Sequence, residues 1–240
     1  MRPRPDDADI LSDLAAHRRA HRHEEPPNLD PEQWLHGPRM TQTEASLRLA
    51  LYLIREGHAT SDVSVTISAR ELTRVGQRPR FPVEWFLEDH NCKRRVTRGG
   101  GIEWQARYSV DGSQFSIRLD DERGTCDVMA MVASDARIIA FVGAGFTVPT
   151  RSSSEHTVAR TLIGRAITYP DVRHLDLPVV VVPRSERSRV LAKEMRGAPR
   201  VIQSGLSICT VDRAGVVDGL PFPAPFDPES LVRRKGRISK

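Results

Sequence analysis

No run of apolar residues in this 240-residue chain approaches the roughly 18–20 that a helix needs to cross a bilayer. The N-terminus is basic, yet no apolar stretch of the kind a secretory signal requires follows it. The expectation is therefore a cytoplasmic protein with no membrane partner. Cysteine is scarce. Cys92, Cys126 and Cys209 form no CxxC pair and have no histidine at ligand spacing, which argues against a disulfide framework or a zinc site and for reduced, buried thiols. Aromatic residues make up only 5%, so a core must be built mainly from aliphatic side chains. The 39% hydrophobic content suffices for one medium domain. Lysine occurs only at positions 93, 193, 235 and 240, although lysine and arginine together number 36. The net charge of +5 is thus carried by arginine, whose planar fork matches phosphate and guanine, and a nucleic-acid partner is compatible with it.

Residues 1–40 read as a polar extension with frequent prolines. His17 and His21 are helix neighbours there, but no carboxylate or further histidine stands where it would complete a metal site. A solvated basic face is the simpler reading. Residues 41–98 read as a helical region. TQTEASLRLALYLIREG has Thr43 as a cap and an apolar stripe of Leu47, Ala50, Leu51 and Ile54 that stops at Gly57. ISARELTRVG, capped by Ser68, and FPVEWFLEDHN, opened by Pro82, read as two shorter helices, an order similar to a winged helix.

From Ile102 the pattern turns to strands. IEWQARYSV, SQFSIRL and TCDVMAMVA alternate or run apolar, with VDGS as a hairpin turn between the first two. ARIIAFVG and LPVVVVP are continuous apolar runs of the fully buried type, and LSICTVDRAG is a last strand. SSSEHTVARTLIGRAITY and ERSRVLAKEMRG are helical, and residues 220–240 form a proline-rich, then basic tail. The expected fold is α/β, a mixed sheet with helices on both faces over residues 99–219.

That order of elements resembles the restriction-endonuclease-like fold of the PD-(D/E)xK nucleases, whose core is a helix, a three-stranded meander, a helix and a further strand. The family places an Asp at the start of the second core strand and Glu-x-Lys or Asp-x-Lys on the next. In GTCDVMAMVASDARIIAFVGAG, Asp127 takes the first place, but Phe141 stands at the acid and Gly143 at the lysine. Two carboxylates would hold the metal that activates water, and Phe141 cannot ligate a hard cation. The resemblance therefore implies a catalytically degenerate domain that needs no cofactor and binds nucleic acid, with DNA the favoured form. It could equally scaffold a nucleic-acid-acting protein partner, or a homo-oligomer, in a bacterial restriction or defence context. Arg78, Arg80, Lys93, Arg94, Arg95 and Arg98 are the first candidates for phosphate contact. Arg184, Arg187 and Arg189 come second.

Two alternatives stay open. An active nuclease would pair Asp127 with a relocated acid, Asp121 or Glu44, around Mg²⁺ or Mn²⁺ held on Asp127. Alternatively, FVGAGFT is similar to the Gly-Ala-Gly turn of sirtuin-like NAD-binding domains, in which Gly143 and Gly145 would let a pyrophosphate approach backbone N–H groups.

Overall fold

The structure, a computed structural model, describes residues 37–68, 71–72, 81–95, 105–120, 125–132, 135–147 and 154–220. They belong to one compact unit that begins at Gly37. In chain order the elements are β1 (Arg39–Met40), α1 (Gln42–Arg55), β2 (Val63–Ser68), α2 (Val83–Asp89), β3 (Lys93–Arg95), β4 (Arg107–Val110), β5 (Ser113–Asp120) and β6 (Val128–Met131). After these come β7 (Arg137–Val142), β8 (Gly145–Phe146), α3 (Ser154–Thr168), β9 (Leu177–Pro183), α4 (Glu186–Arg196), α5 (Pro199–Gln203), β10 (Ser207–Val211) and β11 (Val217–Asp218). The described residues form a nine-stranded mixed sheet, ordered β11-β10-β9-β7-β6-β2-β5-β4-β3, and a two-stranded ribbon of β1 and β8.

Two kinds of strand meet in this sheet. β7, β9 and β10 are parallel neighbours joined through α3 and α4. Every residue of β7 is buried, as its unbroken apolar run requires. Val179 and Val181 of β9 face one core with α1, while Val180 and Val182 face another with Leu162 and Ala166 of α3 and Ala192 of α4. β2, β5 and β4 instead alternate. Val63, Val65, Ile67, Phe115, Ile117, Tyr108 and Val110 turn into the core beneath α1 and α2, and the residues between them are less buried. At the β4–β5 hairpin, Asp111 and Gly112 have φ of 49° and 81°, the positive pair that a two-residue type I′ turn needs.

Several expectations change. β2 lies inside the expected helical region, and Ile67 and Ser68, expected to open a helix, end this strand; the alternating VSVTIS pattern prevails. β2 pairs with both β5 and β6, so the described parts of residues 41–98 and 99–219 share one sheet. A winged-helix unit of three consecutive helices is therefore not what the described part of 41–98 forms. The antiparallel meander consists of β2, β6 and β7; β4, the described end of the strand expected from Ile102, lies beyond β5. Thr41, not Thr43, caps α1, accepting from Glu44 N at 3.0 Å. Of the expected extension, 37–40 are described, and β1 lies there. Its remainder and residues 221–240 lie outside the described residues.

The entry of β7 is fixed by a buried ion pair. Arg137 donates through Nε to Asp176 Oδ1 at 3.1 Å and through Nη2 to Oδ2 at 2.6 Å, a bidentate fork, and its side chain also meets Asp171. Asp176 is fully enclosed and accepts the Arg173 amide as well. Removing one partner of such a pair leaves a buried charge, so Asp176→Ala should lower unfolding free energy by about 3–5 kcal/mol. Urea denaturation of the two proteins reads this directly, and a loss below about 1 kcal/mol would show that Asp171 alone satisfies Arg137.

Candidate functional site

Parallel strands β7, β9 and β10 end at one edge of the sheet, and β6, antiparallel to β7, begins there. In open α/β sheets this carboxyl edge is where ligands usually bind. Asp127, one residue before β6, occupies it. Its main chain is held on both sides, by its own N–H to Ala140 O at 2.9 Å and by Thr66 N–H to its carbonyl at 2.8 Å. Its carboxylate then extends the ladder: Oδ2 accepts the Val142 amide at 2.7 Å.

Two helices from opposite faces converge on the same group. Gln42, in the first turn of α1, donates Nε2 to Oδ1. Arg165, on α3, donates Nη1 to Oδ2 at 3.2 Å and Nη2 to Oδ1 at 3.3 Å, and reaches Thr125 O at 2.9 Å. Asp127 is almost fully buried, and burial pushes its carboxyl up to about 6 against the opposing pull of Arg165, the Val142 amide and Gln42. Both oxygens thus have donors from the protein.

Phe141, directly opposite on β7, is turned into the core beneath α3. It meets Tyr169 edge-on at 5.4 Å and carries the Arg165 guanidinium 5.4 Å over its ring, which helps aim that arginine at Asp127. Gly143 donates its N–H to Val181 O at 2.9 Å, so this donor already belongs to the sheet. A Cβ at Gly143 would come within 2.6 Å of Val158 Cγ1 and 3.0 Å of Leu162 Cδ1; one at Gly145 would sit 3.3 Å from the Pro183 ring. Neither glycine has a positive φ. Close approach of α3 to the end of β7 is the physical demand that Gly143 meets.

Glu44 belongs to a different cluster. It is wholly buried, pairs with Arg48 Nε at 3.0 Å and Arg213 Nε at 3.3 Å, and shares none of the donors that hold Asp127. Its Oε2 has no hydrogen-bond partner among the described residues, and burial raises its pKa. Arg48 and Arg213 anchor the loop after β10 and residues 37–39, through Arg213 O, Gly37 O and Arg39 O. On the other side of β9, Arg184 pairs with Asp212 at 2.9 Å and Arg187 with Glu155 at 3.4 Å, while Arg189 is exposed. Glu155 also accepts from Ser185, which caps α4 in a capping box with Ser188.

Lys93, Arg94 and Arg95 are exposed on edge strand β3. Asp121, Arg78, Arg80 and Arg98 lie outside the described residues. Among the described residues no group of three or more His, Cys, Asp or Glu is placed to hold a metal ion. All three thiols are buried, and burial pushes Cys92 up to about 11 and Cys209 to about 12, which leaves them protonated and poor nucleophiles. Sequence reasoning missed Gln42 and Arg165, the two side chains that meet Asp127. The only local signal for Arg165 was its place one residue before Ala166, at the margin of an apolar helical face.

No known protein family, curated protein or solved structure matches this chain.

Asp127→Ala strands the Val142 amide and Gln42, whereas Arg165, about one-third exposed, can rehydrate. A loss of about 1–3 kcal/mol at pH 7 is expected by urea denaturation. The pH dependence has a defined sign. Because folding raises this carboxyl from 3.8 to about 6, the folded state holds its proton more tightly, and stability falls as pH rises from about 4 to 6. Asp127→Asn should remove that slope; an unchanged slope would assign it elsewhere. Gly143→Val, which drives a branched side chain into Val158, should cost about 1–3 kcal/mol by thermal melting. Retained stability in that variant would mean that α3 yields at this contact.

Proposed function

We propose that this chain is a catalytically degenerate, nuclease-like domain that binds nucleic acid. The observation that carries the reading is the state of Asp127. The carboxylate that an active PD-(D/E)xK nuclease would turn toward a metal is here occupied by Arg165, Gln42 and the Val142 amide. The partner acid position holds Phe141, buried against Tyr169, and the lysine position holds Gly143, packed under α3. A metal at Asp127 would have to displace a guanidinium and a sheet hydrogen bond, with no second carboxylate beside it among the described residues.

The path of the chain supports the same reading. α1, the antiparallel strands β2, β6 and β7, then α3 and the parallel strand β9 follow the helix, meander, helix and strand order of that nuclease core. β3 to β5 with α2 are an insertion after β2, placed beyond the meander on its outer side. Exposed arginines and the net charge of +5 favour a polyanionic partner.

Labelled duplex and single-stranded DNA, incubated with the protein in EDTA and then in Mg²⁺ or Mn²⁺, test the reading. Binding that weakens with salt, with no cleavage in either metal, is the expected result. Metal-dependent cleavage that disappears in a folded Asp127→Asn variant would establish an active nuclease and overturn the degenerate assignment.

A further inference from the structure

Among the described residues, the two faces of the sheet are covered unequally. On one, α1 and α2 pack over the apolar residues of β2, β4 and β5. On the other, α3 and α4 pack over β7, β9 and β10, and their core ends at Met129 and Ile139 on β6 and β7. Register and alternation then fix what the rest of this second face carries. Arg95 is paired with Arg107, Lys93 with Ser109, Arg107 with Ser116, and Ser116 precedes Arg118 by two residues. Lys93, Arg95, Arg107 and Arg118 therefore share one face, and all four are exposed. Ser64, Thr66, Ser109, Gln114 and Ser116 fill the positions between them, and these are uncharged; the acid in this register, Asp120, stands at the end of β5 two residues beyond Arg118.

From these placements we infer that the open half of the sheet is a platform for the phosphate backbone of a nucleic-acid duplex, with Lys93, Arg95, Arg107 and Arg118 as its phosphate contacts. The inference rests on the nucleic-acid-binding reading above and gives it a surface. Among the residues whose side chains are described, no acid pairs with any of the four, whereas Arg184, Arg187, Arg48 and Arg213 all have carboxylate partners. Neighbouring cations stand about 5–8 Å apart, from the cross-strand and diagonal spacings of an antiparallel pair, within reach of successive phosphates for side chains of this length. Charge on an edge strand is also a common guard against strand-to-strand aggregation. That role accounts for β3 but not for Arg107 and Arg118, which lie one and two strands inward.

The same geometry favours a duplex over a single strand. Unstacked bases bind on aromatic side chains, and the named residues of this face include none. Tyr108 and Phe115 point through the sheet and stack on each other in the core. Hydroxyl and amide groups beside arginines suit phosphate and sugar, which a duplex presents on its outside. Arg94 supplies an internal control, because it is paired with Tyr108 and belongs to the opposite face.

The test is fluorescence anisotropy of the full chain with a labelled duplex across a salt series. Four phosphate contacts predict that log K falls against log salt with a slope of about −3 to −4. Arg95→Gln with Arg107→Gln should make that slope shallower by about 2, and Arg118→Gln by about 1. Arg94→Gln, and Arg184→Gln with Arg187→Gln, should leave it unchanged. Melting curves check that every variant folds. If the wild type binds but the Arg95, Arg107 and Arg118 variants keep its slope, or Arg94→Gln reduces it as much as Arg118→Gln does, the platform is wrong while nucleic-acid binding stands. Binding of single strands in preference to duplex would overturn the duplex assignment. If the wild type binds neither, the platform and the proposed function fall together.

Discussion

The carboxylate of Asp127 is the point at which the layers of this fold are tied together. It lies in the plane of the sheet, continuing the β6–β7 ladder through the Val142 amide, and it receives Gln42 from the helix on one face and Arg165 from the helix on the other. A buried carboxylate needs such a set of donors to stay ionised, since burial without them raises its pKa and it takes up a proton instead. Arg165 is in turn steadied over Phe141, and Phe141 by Tyr169. The approach of α3 that brings Arg165 within reach also leaves no room for a Cβ at Gly143. One constraint thus runs through Asp127, Arg165, Phe141 and Gly143.

The second organising feature is the division of the sheet. Strands β7 and β9 are apolar on both sides because helices cover both sides, and their sequences cannot alternate. Strands β2, β4 and β5 alternate because, among the described residues, helices cover one side of them, and the polar register that results includes cations at four positions. The two halves serve different ends. One carries the tightly packed edge with its internally paired charges; the other presents Lys93, Arg95, Arg107 and Arg118 to water.

Much of this was legible in the residues. The runs LPVVVVP and RIIAFV announced fully buried strands, VDGS announced a hairpin, and the helices from Gln42, Ser154 and Glu186 followed from their apolar stripes. Asp127 at the mouth of a strand was recognised as the singular acid. β2 escapes a reading by pattern because VSVTIS is short, half polar and shares Ile67 and Ser68 with ISARELTRVG, which has helical spacing of its own. Glu44 is expected beside Asp127 because the resembled nucleases can add a carboxylate from the first helix. In the fold Gln42, two residues earlier, meets Asp127, while Glu44 turns to Arg48 and Arg213. Two residues along a helix is about 200° of rotation, enough to put the two side chains on different sides.

By itself the sequence determined the α/β class, the strand types, the basic arginine-rich character and the absence of an acid and lysine at positions 141 and 143. These are local properties, set by periodicity and by which side chains can ligate or pair. Only the tertiary structure decided which charges neutralise each other. Arg165 lies 38 residues from Asp127, and Arg213 lies 169 from Glu44. Ion pairing depends on separations of a few ångströms after folding, and no spacing along the chain encodes it. The same holds for the open face: Lys93, Arg95, Arg107 and Arg118 become one surface only through strand register.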